Sequence, residues 1–160
     1  MSNMADPRLL HKEIIGGRGT YSEANYNPKA FNYFAPLNAL AFPIDLYAGD
    51  TTGGEYGVHD FTGLYVYRVT VEQGFEFLGR ISSAPGVTDD GCFVGYYDYT
   101  RGVFIDDNVY SVTQIGVKSA SIDDVGTIES EAPFANAPTP VEECYWYGPD
   151  FFLPDGEGVR

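Results

Sequence analysis

Short runs of hydrophobic residues, separated by polar and Gly-rich stretches, follow one another along the chain, and the strongest is residues 61–71 (FTGLYVYRVTV). A run this rich in β-branched and aromatic residues is typical of a strand, as is the alternation of hydrophobic and polar residues over 29–34. Two shorter runs of the same kind, 103–105 and 109–113, flank Asp106-Asp107-Asn108. Asp and Asn tolerate the left-handed backbone of a tight turn, so this pattern predicts a β-hairpin. A further strand is predicted over residues 114–122, and no long run of apolar residues has helical spacing.

The pattern of strands and turns repeats along the chain. Four strands are predicted at residues 29–35, 39–47, 61–71 and 75–82, and segment 29–36 resembles segment 101–108, as 7–14 resembles 74–81. A repeating four-stranded antiparallel unit is typical of a β-propeller blade. Residues 1–15 are therefore predicted to be the outer strand of a preceding blade, and residues 99–124 the inner strands of the next.

The predicted fold class is all-β, with antiparallel four-stranded propeller-type blades. Residues 1–125 would hold about two blades, and residues 126–160 would form a Pro-rich acidic linker and an aromatic C-terminal tail. Propellers usually close with about four to eight blades. We therefore expect the chain to be a fragment of a larger propeller, with the remaining blades of a parent chain or another protein completing its sheets.

Several short phrases, in this order and spacing, resemble one known family. They are RGTYSE at 18–23, KAF at 29–31, GLYVYRV at 63–69, FLGR at 77–80 and RGVFIDDNVYSV at 101–112. The chain resembles the C-terminal part of the secreted β-propeller-domain proteins of bacteria and archaea over roughly residues 2–125. Members of that family are longer, exported and generally without an assigned activity. The resemblance implies a propeller fold and an extracytoplasmic location, secreted or in the cell envelope.

The charge of the chain restricts its partners. Lys and Arg number 9 against 23 Asp and Glu, a formal net charge of −14. Nucleic-acid binding and attachment to an anionic membrane surface both need a basic face, so the composition argues against them. No stretch approaches the roughly 20 apolar residues of a membrane span, and residues 1–7 lack the basic start and apolar run of a signal peptide.

The two cysteines are Cys92 and Cys144. A disulfide between them would be compatible with an extracytoplasmic protein. A reduced pair is the alternative, because the sequence does not show whether their Cα atoms lie within bridging distance.

Two pairs of charged residues in the predicted loops are candidate binding residues. Arg18 and Glu23 lie in the loop before the first predicted blade, where they could form an ion pair with each other or contact a ligand. His59 and Asp60 lie at the end of the Gly-rich stretch 48–60, and a His–Asp pair could orient a catalytic base. No nucleophile motif such as Gly-x-Ser-x-Gly accompanies it, so a non-catalytic role is expected.

Two further features of the sequence are a candidate cation site and a candidate segment for binding a partner. Asp89-Asp90 precedes a glycine in a predicted loop; loop carboxylates of this kind are candidate Ca²⁺ ligands, although the spacing of an EF-hand is absent. Near the C-terminus, Tyr145 and Trp146 belong to a segment too aromatic to remain exposed to water, so we expect it to pack on the sheets or on a partner.

The sequence thus favours a non-catalytic binding or scaffolding role for a piece of an extracytoplasmic propeller. One alternative is a hydrolase whose loop carboxylates form a site shared with missing blades. Another is a small accessory subunit that docks on a larger assembly through its aromatic tail.

Overall fold

The computed structural model describes residues 7–49, 53, 56–83, 86–87, 93–95, 100–137 and 141–143. Short 3₁₀ turns occur at Glu23–Asn25 (η1), Pro28–Ala30 (η2) and Ala35–Leu37 (η3). The strands are β1 (Asn32–Phe34), β2 (Ala39–Ala48), β3 (Val58–Thr70), β4 (Gly74–Ser82), β5 (Gly86–Val87), β6 (Phe93–Gly95), β7 (Thr100–Ile105), β8 (Asn108–Thr113), β9 (Gly116–Ser121), β10 (Ser130–Pro133) and β11 (Val141–Glu143).

Two four-stranded antiparallel sheets dominate the fold. Sheet 1 has the order β1-β2-β3-β4 and sheet 2 the order β10-β9-β8-β7, while β11, β6 and β5 form a third, short sheet. Each four-stranded sheet is a meander in which strands adjacent in sequence pair with each other. The predicted all-β class with propeller-type blades is confirmed.

The predicted strands of the first blade match β1 to β4 to within a few residues. The predicted hairpin is also present: β7 and β8 pair from Thr100↔Thr113 to Ile105↔Asn108, with Asp106 and Asp107 in the turn. Asp106 has φ 51°, the left-handed conformation that favours Asp, Asn or Gly at such a position.

The main core lies between sheets 1 and 2, which stack face to face. From sheet 1 it takes small and aliphatic side chains such as Ala41, Leu64 and Ile81, and from sheet 2 it takes Phe104 and Val109. Phe34 of β1 stacks on Phe104 with ring centroids 5.7 Å apart. The Asn32 side-chain amide donates a hydrogen bond to the carbonyl oxygen of Gly102, which joins the neighbouring edges of the two sheets.

Two segments differ from what the sequence pattern indicated. Residues 7–15, the described part of the predicted outer strand 1–15, are not in a strand. Conversely, part of segment 126–160, which was expected to be a linker and tail, forms β10, the fourth strand of sheet 2. It pairs with β9 from Ser130↔Ser119 to Pro133↔Gly116. The chain forms no helix, among the residues described, that is long and apolar enough to span a membrane.

Candidate functional site

The face of sheet 1 that points away from sheet 2 is rich in aromatic side chains, and we call it the outer face. The register aligns Tyr33 with Leu40, Leu40 with Tyr67, and Tyr67 with Phe77. A second row aligns Val69 with Phe75. Side chains two residues apart on a strand point to the same face. Tyr65 and Tyr67 on β3, and Phe75 and Phe77 on β4, are spaced in this way, so their rings lie on the outer face.

The aromatic rings of the outer face contact one another closely. Ring centroids lie 4.9 Å apart for Tyr65 and Phe77, 5.3 Å for Tyr67 and Phe77, and 6.2 Å for Tyr67 and Phe75. Tyr65 and Tyr67 are buried, and burial raises the pKa of Tyr67 to about 12. Phe75 and Phe77, in contrast, are 39% and 49% exposed. The two tyrosines at the centre of the cluster are therefore buried, whereas the two phenylalanines on β4 are partly exposed to solvent.

Residues 7–15 lie across part of this outer face. The His11 ring nitrogen Nε2 is 2.7 Å from the carbonyl oxygen of Val71, in the β3–β4 turn, and Ile15 packs against the aromatic cluster. Leu9, Leu10 and Ile14 on the same segment are 81%, 63% and 74% exposed. The segment therefore extends the apolar surface rather than closing it.

Arg18 and Glu23 do not pair with each other. The Arg18 guanidinium lies 4.4 Å from the centroid of the Tyr56 ring, a cation–π contact. Glu23 instead accepts two hydrogen bonds from Arg101 of β7, at 2.6 and 2.7 Å. The ion pair between Arg18 and Glu23, one of the two contacts expected for them, is therefore not formed, and a ligand contact stays a prediction.

The pair between Glu23 and Arg101 is well shielded, with the two side chains 19% and 15% exposed. Hydrogen bonds from Arg101 hold the pKa of Glu23 below its usual value, against desolvation, which raises it. The Asn27 amide also donates to the Glu23 carboxylate. Because η1 precedes sheet 1 while Arg101 belongs to sheet 2, the pair ties the entry segment to the second sheet.

His59 and Asp60 contact different partners. His59 Nε2 is 2.9 Å from the hydroxyl oxygen of Thr62, and that hydroxyl donates to Asp45 at 2.6 Å. Since the Thr62 proton is used by Asp45, His59 donates to Thr62 and does not act as a base toward it. Desolvation lowers the pKa of His59, while Asp45 and Asp60 act in the opposite direction. Asp60 itself accepts from Arg80 at 2.9 Å.

The arrangement around His59 is therefore a hydrogen-bonded chain that orders the beginning of β3. The His59 ring also packs edge-on against Tyr47 of β2, with centroids 5.3 Å apart.

The other candidate residues from the sequence are Asp89, Asp90, Cys92, Cys144, Tyr145 and Trp146, and all of them lie outside the described residues. The Ca²⁺ site, the disulfide and the docking tail stay predictions. Within the described ranges, no group of three or more His, Cys, Asp or Glu side chains gathers as a metal site would require.

Sequence reasoning missed two features of the site. The exposed row of Phe75 and Phe77 carried a signal, since Glu76 separates the two phenylalanines in the predicted strand 75–82. The partnership of Arg101 with Glu23 carried none, because the two residues are 78 positions apart and meet only when the sheets stack.

Comparison with known proteins gives one match. The family model described as Beta propeller domain matches residues 1–125. No curated protein and no solved structure matches the chain.

Proposed function

Since the chain belongs to the Beta propeller domain family, we propose that it is a non-catalytic binding or scaffolding module. In this proposal it acts outside the cytoplasm, and it contacts another protein through the outer face of sheet 1. The observation that carries the proposal is the exposure of Phe75 and Phe77, at 39% and 49%, on a sheet whose opposite face is packed against sheet 2.

Burial of this surface would supply binding energy. Aromatic residues dominate the energetics of protein interfaces, because they bury a large area at a small entropic cost. Phe75 and Phe77 are already held by the rings of Tyr65 and Tyr67. A surface that is ordered before binding loses little further conformational entropy when a partner covers it.

The shape of the surface favours a protein over a small molecule. The outer face is part of a four-stranded sheet, with the exposed residues Leu9, Leu10 and Ile14 beside it. Small-molecule sites are concave and bury most of the ligand, whereas contiguous exposed apolar patches on soluble proteins mark protein or membrane contacts. The formal charge of −14 opposes contact with an anionic membrane.

The experiment is capture of partners from the envelope fraction of the source cells on immobilised chain, repeated with Phe77→Asp. Val58→Asp is the matched control, because Val58 is 78% exposed and lies at the opposite end of β3 from the β3–β4 turn. A protein retained by the native chain and the control is then purified and its affinity measured directly. We expect Phe77→Asp to weaken that affinity at least about tenfold, as for a central interface aromatic.

Two results would count against the proposal. Equal affinity for the native chain and Phe77→Asp would remove the outer face from the binding site. Hydrolytic turnover by the purified chain that is lost on replacing His59, Asp89 or Asp90 would favour the hydrolase alternative.

Calcium is a separate part of the proposal. If Asp89 and Asp90 bind Ca²⁺, a chelator lowers the melting temperature of the native chain but not that of Asp89→Asn/Asp90→Asn. An equal effect of the chelator on both chains would contradict this site.

A further inference from the structure

Strand β4 is an edge strand of sheet 1, and the register shows where its backbone groups point. The Val69 amide of β3 donates to the carbonyl oxygen of Asn38, so the backbone of Val69 points to the β2 side of the sheet. In an antiparallel pair, the residue opposite such a position directs its own N–H and C=O groups away from the pair. Phe75 lies opposite Val69, and Phe77 lies opposite Tyr67, two residues away on β3. The backbone groups of Phe75 and Phe77 therefore point to the free edge.

The second half of β4 follows the same alternation. Ser82 lies opposite Gly63, which is in the same phase along β3 as Val69. The carbonyl oxygen of Ser82 accordingly points away from β3, and it accepts a hydrogen bond from the Lys118 ammonium of sheet 2 at 3.1 Å. Within the part of the chain that the structure describes, no such contact reaches the backbone edge at residues 74–77. The open edge of β4 is therefore its first half.

The other edges of the two four-stranded sheets are protected by devices that natural sheets use against strand addition. β1 has only three residues and lies between the 3₁₀ turns η2 and η3. In β7, the carbonyl oxygen of Gly102 accepts a hydrogen bond from the Asn32 amide, and that of Thr100 accepts one from the Arg101 guanidinium. β10 has four residues, among them a glutamate and a proline. β4, in contrast, has nine residues and contains neither proline nor lysine.

We propose that β4 accepts an extended segment of a partner protein, which pairs along residues 74–77 as an additional strand of sheet 1. The main chain of the partner would bond to the edge groups of Phe75 and Phe77, and its apolar side chains would contact the two exposed rings. The inference rests on the proposed function, because these phenylalanines also form the exposed row of the outer face. It adds the kind of partner segment that the surface takes.

Hydrogen bonding favours a strand over any other protein surface at this position. A helix or a flat surface that covered the two rings would also remove water from the N–H and C=O groups beside them, and burying such groups without partners is costly. A strand supplies the missing bonds. Charge does not select the partner, because the charged side chains of β4 are already paired, Glu76 with Arg68 and Arg80 with Asp60. We therefore expect a segment with uncharged, apolar residues at alternate positions.

The probe is a phage-displayed library of random peptides about ten residues long, the upper length of ordinary strands, selected on the immobilised native chain. The enriched peptides are synthesised and their Kd is measured. We expect Phe75→Pro to weaken binding at least about tenfold, because it removes an edge N–H group, while an edge position still tolerates proline. Phe75→Ala is the matched control: it loses the ring but keeps the N–H group, so it should weaken binding less. Circular dichroism melts establish that both variants fold.

Methylation of the peptide backbone gives a second test that uses only the native chain. N-methyl groups on alternate residues of a selected peptide block the N–H groups along one of its edges and leave every side chain in place. Because the two edges of a strand alternate, one set of methyl groups should weaken binding at least about tenfold and the other set should have little effect. This result does not depend on how well the Phe75→Pro variant folds.

The outcomes separate this inference from the proposed function. Strand addition is overturned if no selected peptide prefers the native chain to Phe75→Pro, if Phe75→Ala weakens binding as much as Phe75→Pro, or if both methylated sets bind equally. A captured partner sensitive to Phe77→Asp would then still support binding through the outer face. Association of the native chain with itself, seen by light scattering and lost in Phe75→Pro, would make the added strand that of a second copy and overturn its assignment to a partner protein.

Discussion

Glu23 and Arg101 form the best-shielded ion pair described in the molecule, since both side chains are less than one-fifth exposed. Arg68 and Glu76 offer a comparison, because their pair is 3.2 Å long with side chains 35% and 53% exposed. Shielded, bidentate Arg–carboxylate contacts contribute more than exposed pairs, whose median value is about 0–1 kcal/mol. The two pairs therefore make a matched set within one protein.

We predict that Glu23→Gln lowers the free energy of unfolding by about 1–3 kcal/mol, because Arg101 loses a charged acceptor in a poorly solvated position. Glu76→Gln should lower it by less than about 0.5 kcal/mol. Urea denaturation at pH 7 measures both values. Equal effects of the two substitutions would show that the pair to Arg101 contributes no more than a surface contact.

His59 provides a pH-dependent prediction. Its pKa in the folded chain lies below the usual 6.5, chiefly because of desolvation. The unfolded chain then binds more protons at this position, so stability is present above pH 6.5 and falls as the pH drops from 6.5 toward the lowered pKa. We expect the melting temperature to decrease as the pH is lowered from 7.5 to 5.5, and to decrease less in His59→Gln. Identical pH profiles for the two chains would contradict this assignment.

Gly102 sets how closely the two sheets approach. A Cβ atom at this position would lie 2.5 Å from the Ala41 Cβ and 3.1 Å from a Leu64 methyl carbon. We predict that Gly102→Ala lowers the free energy of unfolding by about 1–3 kcal/mol through overpacking. Gly126→Ala is the control: its Cβ would have no neighbour closer than 3.9 Å, so the change should stay within about 0.5 kcal/mol. If Gly102→Ala left the free energy of unfolding unchanged, the two sheets would be able to move apart without a loss of stability.

The strands of sheet 1 could be predicted from the sequence because they are runs rich in β-branched and aromatic residues, bounded by turn residues. The strand β10 could not, since Ser130–Pro133 is exposed throughout and is held by backbone pairing to β9 rather than by side-chain burial. Residues 7–15 gave the reverse error: their apolar side chains resemble a strand, yet a strand requires a paired neighbour. Side-chain patterns report burial, and they do not report which backbone edges meet.

In the candidate site, too, the sequence indicates the character of each segment but not which distant segments come into contact. The local character of Arg18 and Glu23 as loop residues able to form contacts was visible in the sequence. Their actual partners, Tyr56 and Arg101, depend on which segments the fold brings together. The aromatic outer face was predictable as a pattern, but its exposure could be assigned only once sheet 2 was seen to occupy the opposite face.

The net negative charge of the chain acts against folding. The chain carries 23 acidic and 9 basic residues, and like charges repel more strongly in the compact state. We predict that raising NaCl from 20 mM to 0.5 M stabilises the folded chain by on the order of 1 kcal/mol, about 2–4 °C in melting temperature. Asp107→Asn/Asp123→Asn should reduce this effect, because it removes charge from the acidic turns.

Melts over this range of NaCl concentration measure the effect. A melting temperature that falls with salt would show that favourable ion pairs outweigh the net repulsion.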